Sequence, residues 1–137
     1  NVPWSVDAAF RRPGRFDRVL FVPPPDQPAR QAILDSMLAA RPLAERIDTA
    51  YFSKLTSGFS GADLGELVET AVDEVIEASI AQESEQVLTN VHLKQVLTAV
   101  KSTTLEWLTT ARNYARYANE GGQYDDVLAC LDRHGKK

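Results

Sequence analysis

Apolar positions recur at helical spacing along most of this chain, and one stretch breaks the rule. Leu64, Leu67, Val68, Ala71, Val72 and Val75 fall three or four residues apart, predicting a long amphipathic helix to about Gln82. Ser60 precedes it with Asp63 three residues on, a capping box in which Asp replaces Glu. Ile33, Leu34, Met37 and Leu38 predict another helix, capped by Asp26 and reaching about Ala40, with Pro28 tolerated in its first turn. Further helices are predicted near Thr49–Thr56, from Thr89 to about Val100, from Thr103 to about Asn119, and from Tyr124 to Arg133. Asp7 can cap one helical turn over Ala8–Arg11 before Pro13 stops it. The exception is Val19-Leu20-Phe21-Val22, a continuous apolar run between Arg18 and Pro23-Pro24-Pro25 that reads as a buried strand. A lone strand cannot satisfy its own backbone groups, and nothing else here reads as a strand. The expectation is that a sheet-bearing segment precedes Asn1.

Composition sharpens this picture in two places. At 137 residues, 44% apolar and 25% charged, the chain is ordinary for a globular protein with a real core. It opens on Asn1 rather than Met, which again suggests a piece of something longer. No apolar run is long enough for a bilayer and no signal-peptide pattern opens the chain, so the expectation is a cytoplasmic protein without membrane insertion. Cys130 is the sole cysteine, which excludes an internal disulfide. The net charge of −4 hides an asymmetry, with five Arg against three Asp in residues 1–30 and a strongly acidic remainder. An acidic body argues against nucleic acid as a partner, since that requires phosphate neutralisation. A basic opening suits one anionic ligand at a single edge. Between Asp63 and Glu85 lie eight acidic residues and no Lys or Arg, either a solvated face or a contact for a basic neighbouring subunit.

The candidate chemistry lies at the start. Arg12 and Arg15 flank Pro13-Gly14, just behind the short helical turn. A guanidinium is permanently charged and forks onto phosphate oxygens, so two of them on a stiff turn suit a phosphoryl-transfer site. Other chemistries lack support. His92 and His134 are the only histidines and have no partners at metal-ligand spacing, so no metal site is expected. No Gly-x-x-x-x-Gly-Lys-Ser/Thr loop is present to cradle a triphosphate.

Asn1, Asp7 and the run Arg11-Arg12-Pro13-Gly14-Arg15-Phe16-Asp17-Arg18 resemble the second region of homology of the AAA ATPases. Two later stretches extend the resemblance in the family's order. Pro23 to Leu34 is similar to the junction between the large domain and the helical lid, and Ser57-Gly58-Phe59-Ser60-Gly61-Ala62-Asp63-Leu64 to a helix start within that lid. Within the family, the chain resembles the Cdc48-like proteins and the single-module protein remodellers. The fold this implies is mainly α. Residues 1–24 would be the end of the large α/β subdomain, residues 25–101 a four-helix lid, and residues 102–137 a C-terminal helical hairpin docked on it.

The resemblance also implies roles. Asn1 falls at the sensor-1 position near the γ-phosphate. Arg12 and Arg15 fall at the arginine-finger positions, which reach the nucleotide of the adjacent subunit. Arg11 and Arg18 match the pattern as structural or inter-subunit ion-pairing groups. Gly61 and Ala62 would lie against adenine, where minimal side chains let a flat ring approach the backbone; helix packing explains them equally well. Asp63 caps or anchors. Many relatives have His on the first lid helix where this chain has Met37. The cofactor implied is ATP with Mg2+, bound by the longer protein and not tightly by this chain, which alone would be inactive. The partners implied are neighbouring subunits of a homo-oligomeric, hexameric ring and a protein substrate. A stand-alone helical interaction module with no nucleotide role is the alternative.

Overall fold

The computed structural model describes residues 5–12, 14–16, 20–39, 41, 47–117, 119, 122 and 124–134. Among these described residues six α-helices follow a 3-10 turn over Ala8–Arg11: α1 (Gln27–Leu38), α2 (Thr49–Leu55), α3 (Gly61–Ala81), α4 (Asn90–Leu97), α5 (Thr104–Tyr117) and α6 (Asp125–His134). They divide into two compact units, residues 24–105 and residues 1–23 with 106–137.

In the first unit α3 is the central element. Leu64, Leu67, Val68 and Ala71 expose no surface, because the stripe read from the sequence faces α1 on one side and α4 on the other. Leu34 and Leu38 of α1, Phe52 of α2, Phe59, and Leu93 and Val96 of α4 complete the core. Full burial of such a side chain contributes about 1.5–3 kcal/mol, so this cluster is the main source of the unit's stability. Helix starts follow local chemistry. Asp26 Oδ1 accepts from the Ala29 N–H at 2.9 Å, and Asp48 Oδ1 from the Tyr51 N–H at 2.9 Å. At Thr89 the reciprocal bond comes from an imidazole, with Thr89 N–H donating to His92 Nδ1 at 3.2 Å, so His92 works as a capping group. Two polar bridges tie the helices sideways, Thr49 Oγ1 to Asp35 at 2.7 Å and the Asp48 N–H to Asn90 Oδ1 at 2.9 Å.

The second unit has its own small core of Ala111 and Ala115 from α5 with Tyr124, Val127 and the partly buried Leu128 and Leu131 of the α6 segment. Gly122, at φ +74°, turns the chain between the two helices, a conformation other residues adopt at a cost. Phe21 stacks on Trp107 with ring centroids 6.0 Å apart and planes 6° from parallel.

The strand expected over residues 19–22 does not form among its described residues. Leu20, Phe21 and Val22 have no regular structure, and Leu20 and Val22 are each 84% exposed; Val19 lies outside the described residues. A strand exists by virtue of its neighbours, and none of the described residues offers a sheet edge. Phe21 instead buries its ring against Trp107, and the flanking apolar side chains are left in solvent.

Candidate functional site

The arginine pair sits on a built turn. Asp7 Oδ1 caps the 3-10 turn by accepting from the Ala9 N–H at 2.8 Å. The chain then reverses: the Arg15 N–H donates to the Arg12 carbonyl at 3.1 Å, closing a four-residue turn with Gly14 third, at φ +84°. A type II turn needs a positive φ at its third residue and favours proline at its second, so the Pro-Gly pair suits this geometry. The Phe16 N–H returns to the Phe10 carbonyl at 3.0 Å, and Arg15 Nη1 donates to the Ala9 carbonyl at 3.1 Å. Both arginines are exposed, and among the described residues neither forms an ion pair with a carboxylate. The outcome is two adjacent cations, Arg15 partly committed to holding the turn and Arg12 projecting without such a tie among the described residues.

Gly61 and Ala62 open α3, so their amides are among the helix's first donors. A Cβ built on Gly61 meets nothing within 4 Å, and Ala62 is exposed. Contacts of a side chain at position 61 with the described residues therefore do not account for the glycine there. One turn on, a Cβ built on Gly65 would lie 3.7 Å from the terminal methyl of Met37, an ordinary contact distance, so the two helices approach closely there. Met37 thus sits half-buried against the first turns of α3. The resemblance already sets Met37 apart, at a position where many relatives have His; its thioether gives this spot a soft apolar wall.

Asp63 holds that helix start in place. Its carboxylate is 2% exposed and accepts from the Ser60 N–H at 2.8 Å, Thr103 Oγ1 at 2.7 Å, the Thr103 N–H at 3.3 Å and Thr104 Oγ1 at 3.4 Å. Ser60 Oγ reciprocates from the Asp63 N–H at 3.1 Å, so the capping box is complete. Burial pushes the carboxyl up, but the bonds from Ser60 and Thr103 outweigh it and hold Asp63 below the usual carboxylate range. Ser102 Oγ adds a bond of 2.7 Å to the Gly58 carbonyl. The sequence pattern predicts Thr103 as the cap of α5; its hydroxyl goes to Asp63 instead. The capping box was legible, whereas the arrival of residues 102–104 from forty positions away was not.

Nothing in the sequence singles out Arg30. It is 6% exposed, its Nε and Nη2 donate to the Ser53 carbonyl at 3.1 and 2.8 Å, and its Nη1 donates to the Pro25 carbonyl at 2.7 Å. Ser53 lies in the last turn of α2, where carbonyls lack intrahelical partners and the helix dipole favours a cation. Burial draws the guanidinium pKa down, partly countered by Asp26. One side chain thereby ties the end of α2 to the proline stretch that leads into α1.

Asn1 and Arg18 lie outside the described residues, as do Pro13 and Asp17. The structure thus brings Arg12 to Arg15 in one unit and sets Gly61 and Ala62 at the head of α3 in the other. Among the described residues no three His, Cys, Asp or Glu side chains converge as metal ligands, and no helix is long and apolar enough to cross a membrane.

No family model matches the chain. Over 87 residues, 63% of its length, it is 41% identical to the ATP-dependent zinc metalloprotease FTSH 11, chloroplastic/mitochondrial, of Arabidopsis thaliana, and it spans 11% of that protein. A solved structure described under the structural basis for katanin self-assembly covers 78% of the chain with a TM-score of 0.66 and 27% identity, the match taking in 44% of the solved chain. Both relatives are AAA ATPases, and the chain corresponds to only part of each. The three motifs, the helical unit built around α3 and these two likenesses together support reading the chain as a C-terminal part of an AAA ATPase.

Proposed function

We propose that this chain is the part of a AAA ATPase that completes a neighbour's active site and senses the nucleotide in its own. Residues 1–24 would present Arg12 and Arg15 in trans to the γ-phosphate held by an adjacent subunit of a ring. Their preorganised charge would stabilise the transferring phosphoryl group. Residues 25–101 would be the lid, with Gly61 and Ala62 against adenine and Met37 behind them. ATP with Mg2+ supplies the reacting phosphoanhydride and the metal, both bound mainly by the phosphate-binding loop of the longer protein; the residues here contact, orient and gate. The lid would turn about residues 23–25, and residues 102–137 would be an appended hairpin.

The observation that carries this reading is the closed turn over residues 12–15. It holds two guanidinium groups, neither ion-paired among the described residues, on a short, stiff support. The self-assembly for which the katanin structure is described supports a ring. The chain has only two histidines, His92 and His134, and no His-Glu-x-x-His sequence, so the metalloprotease activity named for the Arabidopsis relative is not proposed for it.

The test uses the full-length ATPase. Arg12→Ala and Arg15→Ala should each lower kcat by about 10³-fold or more while nucleotide still binds. Action in trans makes a sharper demand. Rings mixed from Arg12→Ala subunits and subunits lacking the Walker lysine should regain activity, because each supplies what the other lacks. Unchanged kcat in the single variants, or mixed rings as dead as their parents, would defeat the assignment.

A further inference from the structure

The C-terminal half of α3 carries a feature that nucleotide chemistry does not use. An apolar groove of about 340 Å3 runs beside it, floored by Val72, Val75 and Leu88 and edged by Ile76, Ile80 and Arg41. Ile76 is 51% and Ile80 73% exposed, so two large apolar side chains rim the groove in solvent. The far wall is held by hydrogen bonds. α3 ends in a Schellman turn, with the Ser84 N–H donating to the Ser79 carbonyl at 3.2 Å and the Glu83 N–H to the Ile80 carbonyl at 3.3 Å. Ser79 Oγ then accepts from the Gln86 N–H at 3.0 Å, which fixes the descent toward Leu88. The groove is preformed, so an occupant need not order it.

Charge decides which occupant fits. Glu66, Glu69, Asp73 and Glu77 follow one another at three- and four-residue steps along the exposed flank of α3, next to Ile76 and Ile80. Among the described residues Arg41 is the one cation lining the groove; it is paired with Glu69, and its Nε donates to the Met37 carbonyl at 3.3 Å, so its charge is already met. An apolar floor with one acidic bank matches a helix that carries an apolar face and Lys or Arg beside it. We propose that this groove is a docking surface for a basic amphipathic helix from another protein. It does not depend on the nucleotide reading of Arg12, Arg15 or Gly61.

The test is fluorescence anisotropy with the 137-residue chain and a labelled 18-residue peptide of Leu and Lys, its leucines at helical spacing. Binding in the micromolar range that weakens with added salt is expected. Ile80→Asp should weaken it at least tenfold, while far-ultraviolet circular dichroism shows α3 intact, since this side chain is largely in solvent. Replacing Glu69, Asp73 and Glu77 by their amides should also weaken it and flatten the salt dependence. A peptide with Glu in place of Lys should bind at least tenfold less well. Equal binding of a scrambled Leu/Lys peptide, no loss in Ile80→Asp, or no binding at millimolar peptide would each overturn the proposal. So would self-association of the chain through this groove, detected by sedimentation and abolished by Ile80→Asp, because the occupant would then be a second copy.

Discussion

Asp63→Asn should destabilise the unit containing α3 by about 2–3 kcal/mol, and the size follows from counting donors. Four converge on the buried carboxylate: two backbone N–H groups, from Ser60 and Thr103, and two hydroxyls, from Thr103 and Thr104. An asparagine of the same shape offers one carbonyl oxygen and one amino group. It can satisfy either the Ser60 side or the Thr103 side, and it presents hydrogens to the other. The hydroxyls can rotate away, but a buried backbone N–H cannot, and leaving one unsatisfied costs about 1–3 kcal/mol. The surviving bonds lose their charge assistance, roughly half their strength. Against a typical total stability of about 5–15 kcal/mol this is a large fraction. Urea unfolding followed by far-ultraviolet circular dichroism reads the change, while Trp107 fluorescence reports the other unit and should move less. A pH series adds a second condition. The folded-state pKa of Asp63 is depressed, so its contribution is complete above the unfolded value near ~3.9 and disappears as pH falls through the lower folded value. The gap between wild type and Asp63→Asn should therefore be widest near neutrality and shrink below about pH 4. A gap under about 0.5 kcal/mol at pH 7, or one that stays constant down to pH 2, would show that the network is not what holds the start of α3.

Gly61→Leu should leave the stability of the 137-residue chain nearly unchanged, because a Cβ there meets open space, yet lower nucleotide affinity in the full-length ATPase at least tenfold; equal affinity would remove Gly61 from the adenine site. Arg30→Met strands the buried Ser53 carbonyl and the partly buried Pro25 carbonyl and should cost about 1–3 kcal/mol in thermal or urea unfolding, and Arg30→Lys should recover only part of this because one ammonium cannot span both acceptors. Glu83→Gly should stabilise the chain by up to about 1 kcal/mol, since Glu83 sits at φ +48° in a position that glycine occupies without strain. A loss of stability in that variant, seen by the same unfolding assay, would mean that the Glu83 side chain makes a contact worth more than the backbone strain.

Local signals in the chain determined its helices. Asp26, Asp48 and Ser60 stand where orphan amides need an acceptor, and the stripe from Leu64 to Val75 has the period of an α-helix, so element type and buried face were both readable. The Pro-Gly pair between Arg12 and Arg15 likewise foretold a turn, since the φ preferences of those residues act locally. Tertiary structure decided what depends on partners distant in sequence. The apolar run over residues 19–22 has strand character, but a strand is a property of two chains side by side, and its described residues give one ring to Trp107 and leave the rest in solvent. Asp63 looked like a cap and became a hub only when Thr103 and Thr104 arrived. Arg30 looked like any helix-surface cation until the Ser53 carbonyl at the end of α2 and the Pro25 carbonyl both accepted from it. Patterns repeating within a few residues are set by backbone geometry, whereas buried polar contacts require folding to bring the second partner, and no single-residue preference encodes where that partner comes from.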